Sequence, residues 1–154
     1  MRPDTTRLAG KLWIGSRPAP GIQGFDVIVF VADENLPRAE DFPGVKLELF
    51  PFDDSSLLSR GEIQNAVRAA RSVSTHLRAG RRVLVACRMG RNRSAFVCAL
   101  ALHIMTGKPG LECAKFVRER RRDLHGIPAL SNEAFFRALA GLRARGAAFA
   151  PILP

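Results

Sequence analysis

An α/β fold is predicted, with a central, mostly parallel sheet of about four to five strands flanked by helices in three layers. Three observations carry it. Extended apolar segments alternate with helical ones along the chain, as in a parallel sheet joined by helical crossovers. The run Val83–Ala86 is short, wholly apolar and preceded by Gly80-Arg81-Arg82, which suits a central strand buried on both faces. Behind it, after one loop, residues 94–105 form an apolar stretch of helix formers. That stretch stops at Gly107, with Pro109 beyond.

The elements follow in order. Residues 1–7 are polar and expected to be loose. Residues 12–16, Leu-Trp-Ile-Gly-Ser, read as a first strand ending in a turn. Pro18, Pro20, Gly21 and Gly24 make the next stretch a loop. Residues 25–32 are a second, strongly apolar strand. Residues 33–44, with Pro37 and Pro43, are mostly loop, and 45–50 alternates as a half-exposed strand. Ser59 and Glu62 form a capping box for a helix running to about Ala79. Its apolar positions Ile63, Ala66, Val67, Ala70, Val73 and Leu77 keep helical spacing. After the break at 107–110, residues 111–124 are helical, with Cys113, Ala114, Phe116 and Val117 inward. The run Arg118-Glu119-Arg120-Arg121-Arg122 on that helix reads as a solvated face. Ser131 or Asn132 caps a last helix that turns Phe135, Phe136, Leu139 and Leu142 inward. Residues 147–154 are expected to be a loose tail. No internal repeat is visible, and residues 1–154 read as one domain.

Composition narrows the function classes. Cys87, Cys98 and Cys113 are odd in number and far apart, so no disulfide framework is suggested and a reducing, cytoplasmic setting is expected. The start of the chain lacks a signal-peptide core, and the longest apolar run, 95–105, is too short for a membrane span. Net charge is +10, which suits an anionic partner such as a phosphoprotein, a phospholipid headgroup or a nucleic acid. No aromatic RNA-binding motif is present and the chain has no Tyr, so a nucleic-acid partner is unsupported by motif.

The loop Cys87-Arg88-Met89-Gly90-Arg91-Asn92-Arg93-Ser94 has the makings of an anion site. It ends at a helix start, where backbone N–H groups lack internal partners and the helix dipole is positive. Gly90 permits a tight turn and close backbone approach. Arg93 follows Cys87 by six positions, so a loop curling on itself brings guanidinium and sulfur to one ligand. A guanidinium matches two phosphate oxygens at once. Such surroundings favour the thiolate, which makes Cys87 a nucleophile facing a bound tetrahedral anion.

These residues resemble the Cys-x5-Arg-Ser/Thr signature of the cysteine-based protein tyrosine phosphatases. With Gly three positions after the Cys, they look most like the dual-specificity branch. Residues 12–16 are similar to the Leu-Tyr-Leu-Gly-Ser opening of many dual-specificity phosphatases. The resemblance spans roughly 12–142, though only the Cys87 loop is specific as a motif. It implies the α/β fold already read from the pattern. It also implies hydrolysis of phosphate monoesters on phosphotyrosine, phosphoserine or phosphothreonine proteins through a phosphocysteine. No cofactor or metal is implied. The loop from Arg88 through Met89, Gly90, Arg91 and Asn92 to Arg93 would bind the phosphate, and Ser94 would hydrogen-bond the departing sulfur. The resembling family also carries an Asp about thirty residues upstream of the Cys, after a strand and three positions past a Pro. Pro51 points to Asp54 as that acid, with Asp53 the alternative.

One departure stands out: the family usually has His before the Cys, and here the residue is Ala86. It motivates a reading from another class, a catalytically weak phosphate-binding module. A rhodanese-like sulfur transferase also places a Cys in an anion loop, but the Asp53-Asp54 loop and the Gly-x-x-Arg-Ser ending disfavour it. Arg88 and Arg91 leave the substrate open. They are either rim cations for a phosphoinositide or other polyanionic phosphate ester, or solvent-facing charges in an Arg-rich chain. His76, His103 and His125 show no metal spacing and read as structural or surface residues.

Overall fold

The structure is a computed structural model and describes residues 4–145. Strands β1 (Thr5–Ala9), β2 (Leu12–Gly15), β3 (Val27–Ala32), β4 (Lys46–Phe52) and β5 (Val83–Ala86) form one sheet in the order β1-β2-β5-β3-β4. β5 lies in the middle, parallel to β2 on one side and β3 on the other. β4 continues the parallel set, and β1 adds an antiparallel edge to β2. Central placement explains the sequence of β3 and β5: every residue of both strands is buried, so both read as unbroken apolar runs.

Helices α1 (Arg60–Arg78), α2 (Arg93–Thr106), α3 (Gly110–His125) and α4 (Glu133–Ala140) flank the sheet. α1 starts on the expected capping box: Glu62 N donates to Ser59 Oγ and Ser59 N donates to Glu62 Oε1, each at 3.1 Å. α2 is apolar around most of its circumference because it packs on β2, β3 and β5 and also against the other three helices. It ends at Gly107, whose φ of 72° is the left-handed conformation that closes a helix. Of the two candidate caps for α4, Asn132 does the capping, its Oδ1 accepting from Ala134 N and Phe135 N.

Four expectations need correction. Thr5, Thr6 and Arg7 are not loose but belong to β1, a polar edge strand with no apolar period to betray it. Asp4 forms a turn before β1, and the remaining tail positions, 1–3 and 147–154, lie outside the described residues. The strand expected over 45–50 runs on through Pro51 to Phe52, which a strand tolerates at a sheet edge. Phe116 is 37% exposed rather than inward, because it sits at the margin of the buried stripe of α3. The cationic run on α3 is not uniformly solvated, since Arg121 is completely buried.

Candidate active site

The loop that begins at Cys87 leaves β5 at its carboxyl end, where parallel α/β sheets open their ligand crevices. It rests on the turn after β2: Arg17 N donates to Arg88 O at 3.2 Å and Cys87 N to Gly15 O at 3.4 Å. Gly90 is required at its crest. Its φ is 65°, and a Cβ there would stand 2.4 Å from Arg121 Nη2 and 2.6 Å from the Gly15 carbonyl carbon. Ala86 is buried at the strand end, in register with Gly15 and Phe30.

The loop brings Cys87, Ser94 and Arg93 together. Cys87 Sγ lies 3.2 Å from Ser94 Oγ, and both residues are buried. Arg93, also buried, turns Nη1 toward the loop after β3. There it meets Glu34 Oε1 at 2.8 Å and Asp33 Oδ1 at 3.1 Å, and it also donates to Phe52 O, at the end of β4, at 3.3 Å. Burial works against the Arg93 charge, but Glu34 and the negative charges of Cys87 and Asp54 outweigh it and hold the guanidinium above its ordinary value. Arg93 Nε is buried and has no protein partner among the described residues. An oxyanion seated in the loop would supply one. Arg88, Met89 and Arg91 are exposed, and Asn92 is half-buried.

Of the two carboxylates after β4, Asp54 reaches this loop. Asn92 Nδ2 donates to Asp54 Oδ2 at 3.0 Å, and Asn132 Nδ2 donates to Asp54 Oδ1 at 2.7 Å and to Ser55 O at 2.8 Å. Asn132 N donates in turn to Asn92 Oδ1 at 3.0 Å. Among the described residues Asp53 shows only a backbone bond, from its N to Glu62 Oε2 at 3.3 Å.

Packing fixes this arrangement. Phe52, Phe96 and Phe135 cluster in the core, Phe96 and Phe135 stacked at 4.7 Å and Phe52 set edge-on to both. Each neighbours a site residue in sequence. Phe52 precedes the Asp53-Asp54 pair, Phe96 lies one helical turn past Arg93, and Phe135 lies three residues past Asn132.

Sequence reasoning missed four contributors. Arg121 donates Nε to Gly90 O at 3.1 Å, Nη1 to Thr6 Oγ1 at 2.8 Å and Nη2 to Asp4 O at 2.9 Å, tying the loop to β1. Burial pushes its pKa below the ordinary arginine value, with Asp4, Cys87 and Cys98 opposing. Its position continues the inner stripe of Ala114 and Val117, a spacing signal that the surrounding charges masked. Arg118 holds Ala129 O and Leu130 O at 3.2 and 2.6 Å, and Leu130 N bonds Arg91 O at 2.8 Å. Asp33 and Glu34 are announced only by their place after a central strand. His125 meets Thr6 Oγ1 at 2.5 Å, while His76 and His103 are buried in hydrogen bonds away from this loop. Cys98 and Cys113 are buried; burial raises both thiols, that of Cys113 to about 11.

Among the described residues, no group of three or more His, Cys, Asp or Glu is placed to hold a metal ion. No helix of these residues is long and apolar enough to cross a membrane.

No sequence-family model and no curated protein matches the chain. Solved structures do. Human DUSP28 superposes with a TM-score of 0.72 at 22% identity, over 90% of this chain and 95% of that one. A mouse putative dual specificity phosphatase complexed with zinc tungstate gives 0.72 at 24% identity, over 91% and 88%. Tk-PTP in its active form gives 0.70 at 22% identity, over 91% and 98%. At these identities the likeness speaks for architecture, and the chain has the fold of the cysteine-based protein tyrosine phosphatases in its dual-specificity-like form.

Proposed function

We propose that the protein is a phosphatase that hydrolyses phosphate monoesters through a phosphocysteine on Cys87. The observation that carries this reading is the joint placement of Cys87 Sγ against Ser94 Oγ at 3.2 Å and of Arg93 with a buried, unpartnered Nε in one loop. The mouse putative dual specificity phosphatase is complexed with zinc tungstate, and tungstate is a tetrahedral oxyanion, the shape such a loop suits.

In the proposed reaction the phosphoryl group sits against the loop N–H groups, with Arg93 holding two of its oxygens. Cys87 Sγ attacks phosphorus, the bond to the ester oxygen breaks, and Asp54 protonates the departing oxygen. Water then attacks the phosphocysteine while Asp54 takes its proton. The S–P bond breaks, phosphate leaves, and Ser94 hydrogen-bonds the returning thiolate. Arg88, Met89, Gly90, Arg91 and Asn92 shape the rim around the phosphate. The substrates we favour are phosphorylated proteins. A polyanionic phosphate ester such as a phosphoinositide is the second reading, favoured by the exposed Arg88 and Arg91.

The test is hydrolysis of an aryl phosphate by the wild type, Cys87→Ser and Asp54→Asn. Cys87→Ser should abolish turnover while oxyanion binding persists, since the loop and Arg93 supply the affinity. Asp54→Asn should lower kcat by about two to four orders of magnitude, less for acidic leaving groups. A wild type that binds tungstate without turnover would leave a phosphate-binding module instead.

A further inference from the structure

Away from Cys87, α1, α2 and the segment after α4 enclose a second cleft of about 450 Å³. That volume is within the range of small-molecule sites. On α2 the cleft is lined at His103, ten residues past Arg93, or about 15 Å along the helix.

Its lining mixes aliphatic and cationic residues. Val67, Leu100, Ile104 and Leu142 supply its aliphatic part. Arg71 and Arg78 add two cations from α1, the helix that also carries Val67, and no carboxylate lines the cleft beside them. Arg78 lies in the last turn of α1, where a cation also offsets the helix dipole; Arg71, nearly two turns earlier, has no such role. Arg145 is held in place by its backbone, whose N donates to Gly107 O at 2.7 Å. His103 adds a polar edge. Its Nδ1–H donates to Lys108 O at 2.7 Å, so Nε2 is the ring nitrogen left for a ligand.

The floor supplies the second observation. Ser74 is 2% exposed and lines the cleft, yet its Oγ has no hydrogen-bond partner among the described residues. A mid-helix serine usually bonds back to a carbonyl of the preceding turn or faces water. A buried hydroxyl that does neither costs stability, and a ligand oxygen would satisfy it.

We propose that this cleft binds a small amphiphilic organic phosphate, its apolar body against the aliphatic residues and its anionic group held by Arg71 and Arg78. A nucleotide and a short-chain lipid phosphate share that chemistry. The site is distinct from the Cys87 loop and does not depend on turnover there.

The experiment uses two probes that resist hydrolysis, the methylene-bridged analogue of ADP and octylphosphonate. Each is titrated by calorimetry and by methyl NMR against the full chain, with tungstate saturating the Cys87 loop. One probe should bind and shift the methyls of Val67, Leu100 and Ile104. The adenosine probe would mark a nucleotide site and the octyl probe a lipid-phosphate site. Arg71→Ala with Arg78→Ala should weaken binding about tenfold or more. Ser74→Ala should move two readouts in opposite directions. It should raise the thermal midpoint of the free protein by removing an unsatisfied hydroxyl, and weaken the probe severalfold. Binding by neither probe, binding unchanged in the double arginine variant, or methyl shifts confined to the Cys87 loop would each overturn the proposal.

Discussion

Asn132 Nδ2 donates to Asp54 Oδ1 at 2.7 Å, joining two residues 78 positions apart, while its own Oδ1 caps α4. One side chain thus starts a helix and holds the proposed general acid toward the Cys87 loop. Asn132→Ser separates the two duties, because serine is also a good cap but too short to reach Asp54. The thermal midpoint should change little, while kcat for an aryl phosphate falls between about 10- and 100-fold through misplacement of the acid. An unchanged kcat would show that Asp54 does not need this support.

Arg121 and Gly90 form a second brace. Arg121→Met leaves Gly90 O, Thr6 Oγ1 and Asp4 O without their donor and should destabilise the fold by about 2–4 kcal/mol. Gly90→Ala adds a methyl where Arg121 and the Gly15–Ser16 backbone already stand, at a φ that resists a side chain. Both variants should lose tungstate affinity along with stability, read by calorimetry and denaturant unfolding. A Gly90→Ala protein with wild-type affinity would mean the loop is not held this closely.

A pH effect follows from Glu48, which accepts hydrogen bonds from Ser72 and from His76 Nε2. Burial pushes its carboxyl up, but Ser72, His76 and Lys46 outweigh it and hold the group below its ordinary value of 4.5. A folded-state pKa below the unfolded one adds stability that is present above pH 4.5 and lost as pH falls through the folded value. From about pH 6 to about pH 3, the wild-type thermal midpoint should therefore fall toward that of Glu48→Gln. A constant gap between the two would remove Glu48 as a source of acid sensitivity.

Arg88 and Arg91 test the substrate. Both are exposed at the rim, beyond the single guanidinium that one phosphate needs. If the substrate carries further phosphates, Arg88→Ala with Arg91→Ala should cut kcat/KM for an inositol polyphosphate far more than for an aryl phosphate. The excess loss should shrink with salt, since exposed charges are screened over about 10 Å at 0.1 M ionic strength. Equal losses on both substrates would favour phosphoproteins.

The sequence carried the sheet centre, the four helices and the Cys87 loop because each has a strong local signature. β5 and α2 are continuous apolar runs, and the α1 cap is a short-range motif. Asp54 was reachable from Pro51 through the family resemblance, and the structure brings it, not Asp53, to Asn92. What stayed hidden is long-range. β1 gains its order from pairing with β2 and from Arg121, neither of which leaves a periodic trace. Arg121 itself looked like one charge in a solvated run, because burial of a guanidinium depends on distant acceptors such as Thr6 Oγ1 and Gly90 O. Asp33 and Glu34 met Arg93 only once the sheet order set β3 beside β5.

The central claim is that Cys87 carries the phosphoryl group during turnover. The most direct measurement is acid quenching of Asp54→Asn during hydrolysis of an ester with an acidic leaving group, followed by peptide mapping. Such an ester forms the intermediate without help from the acid, while its breakdown still needs Asp54 to activate water. The account predicts one phosphoryl group on the peptide that contains Cys87, and neither adduct nor turnover in Cys87→Ser. Sustained hydrolysis by purified Cys87→Ser, or a phosphoryl group found on any other residue, would contradict it.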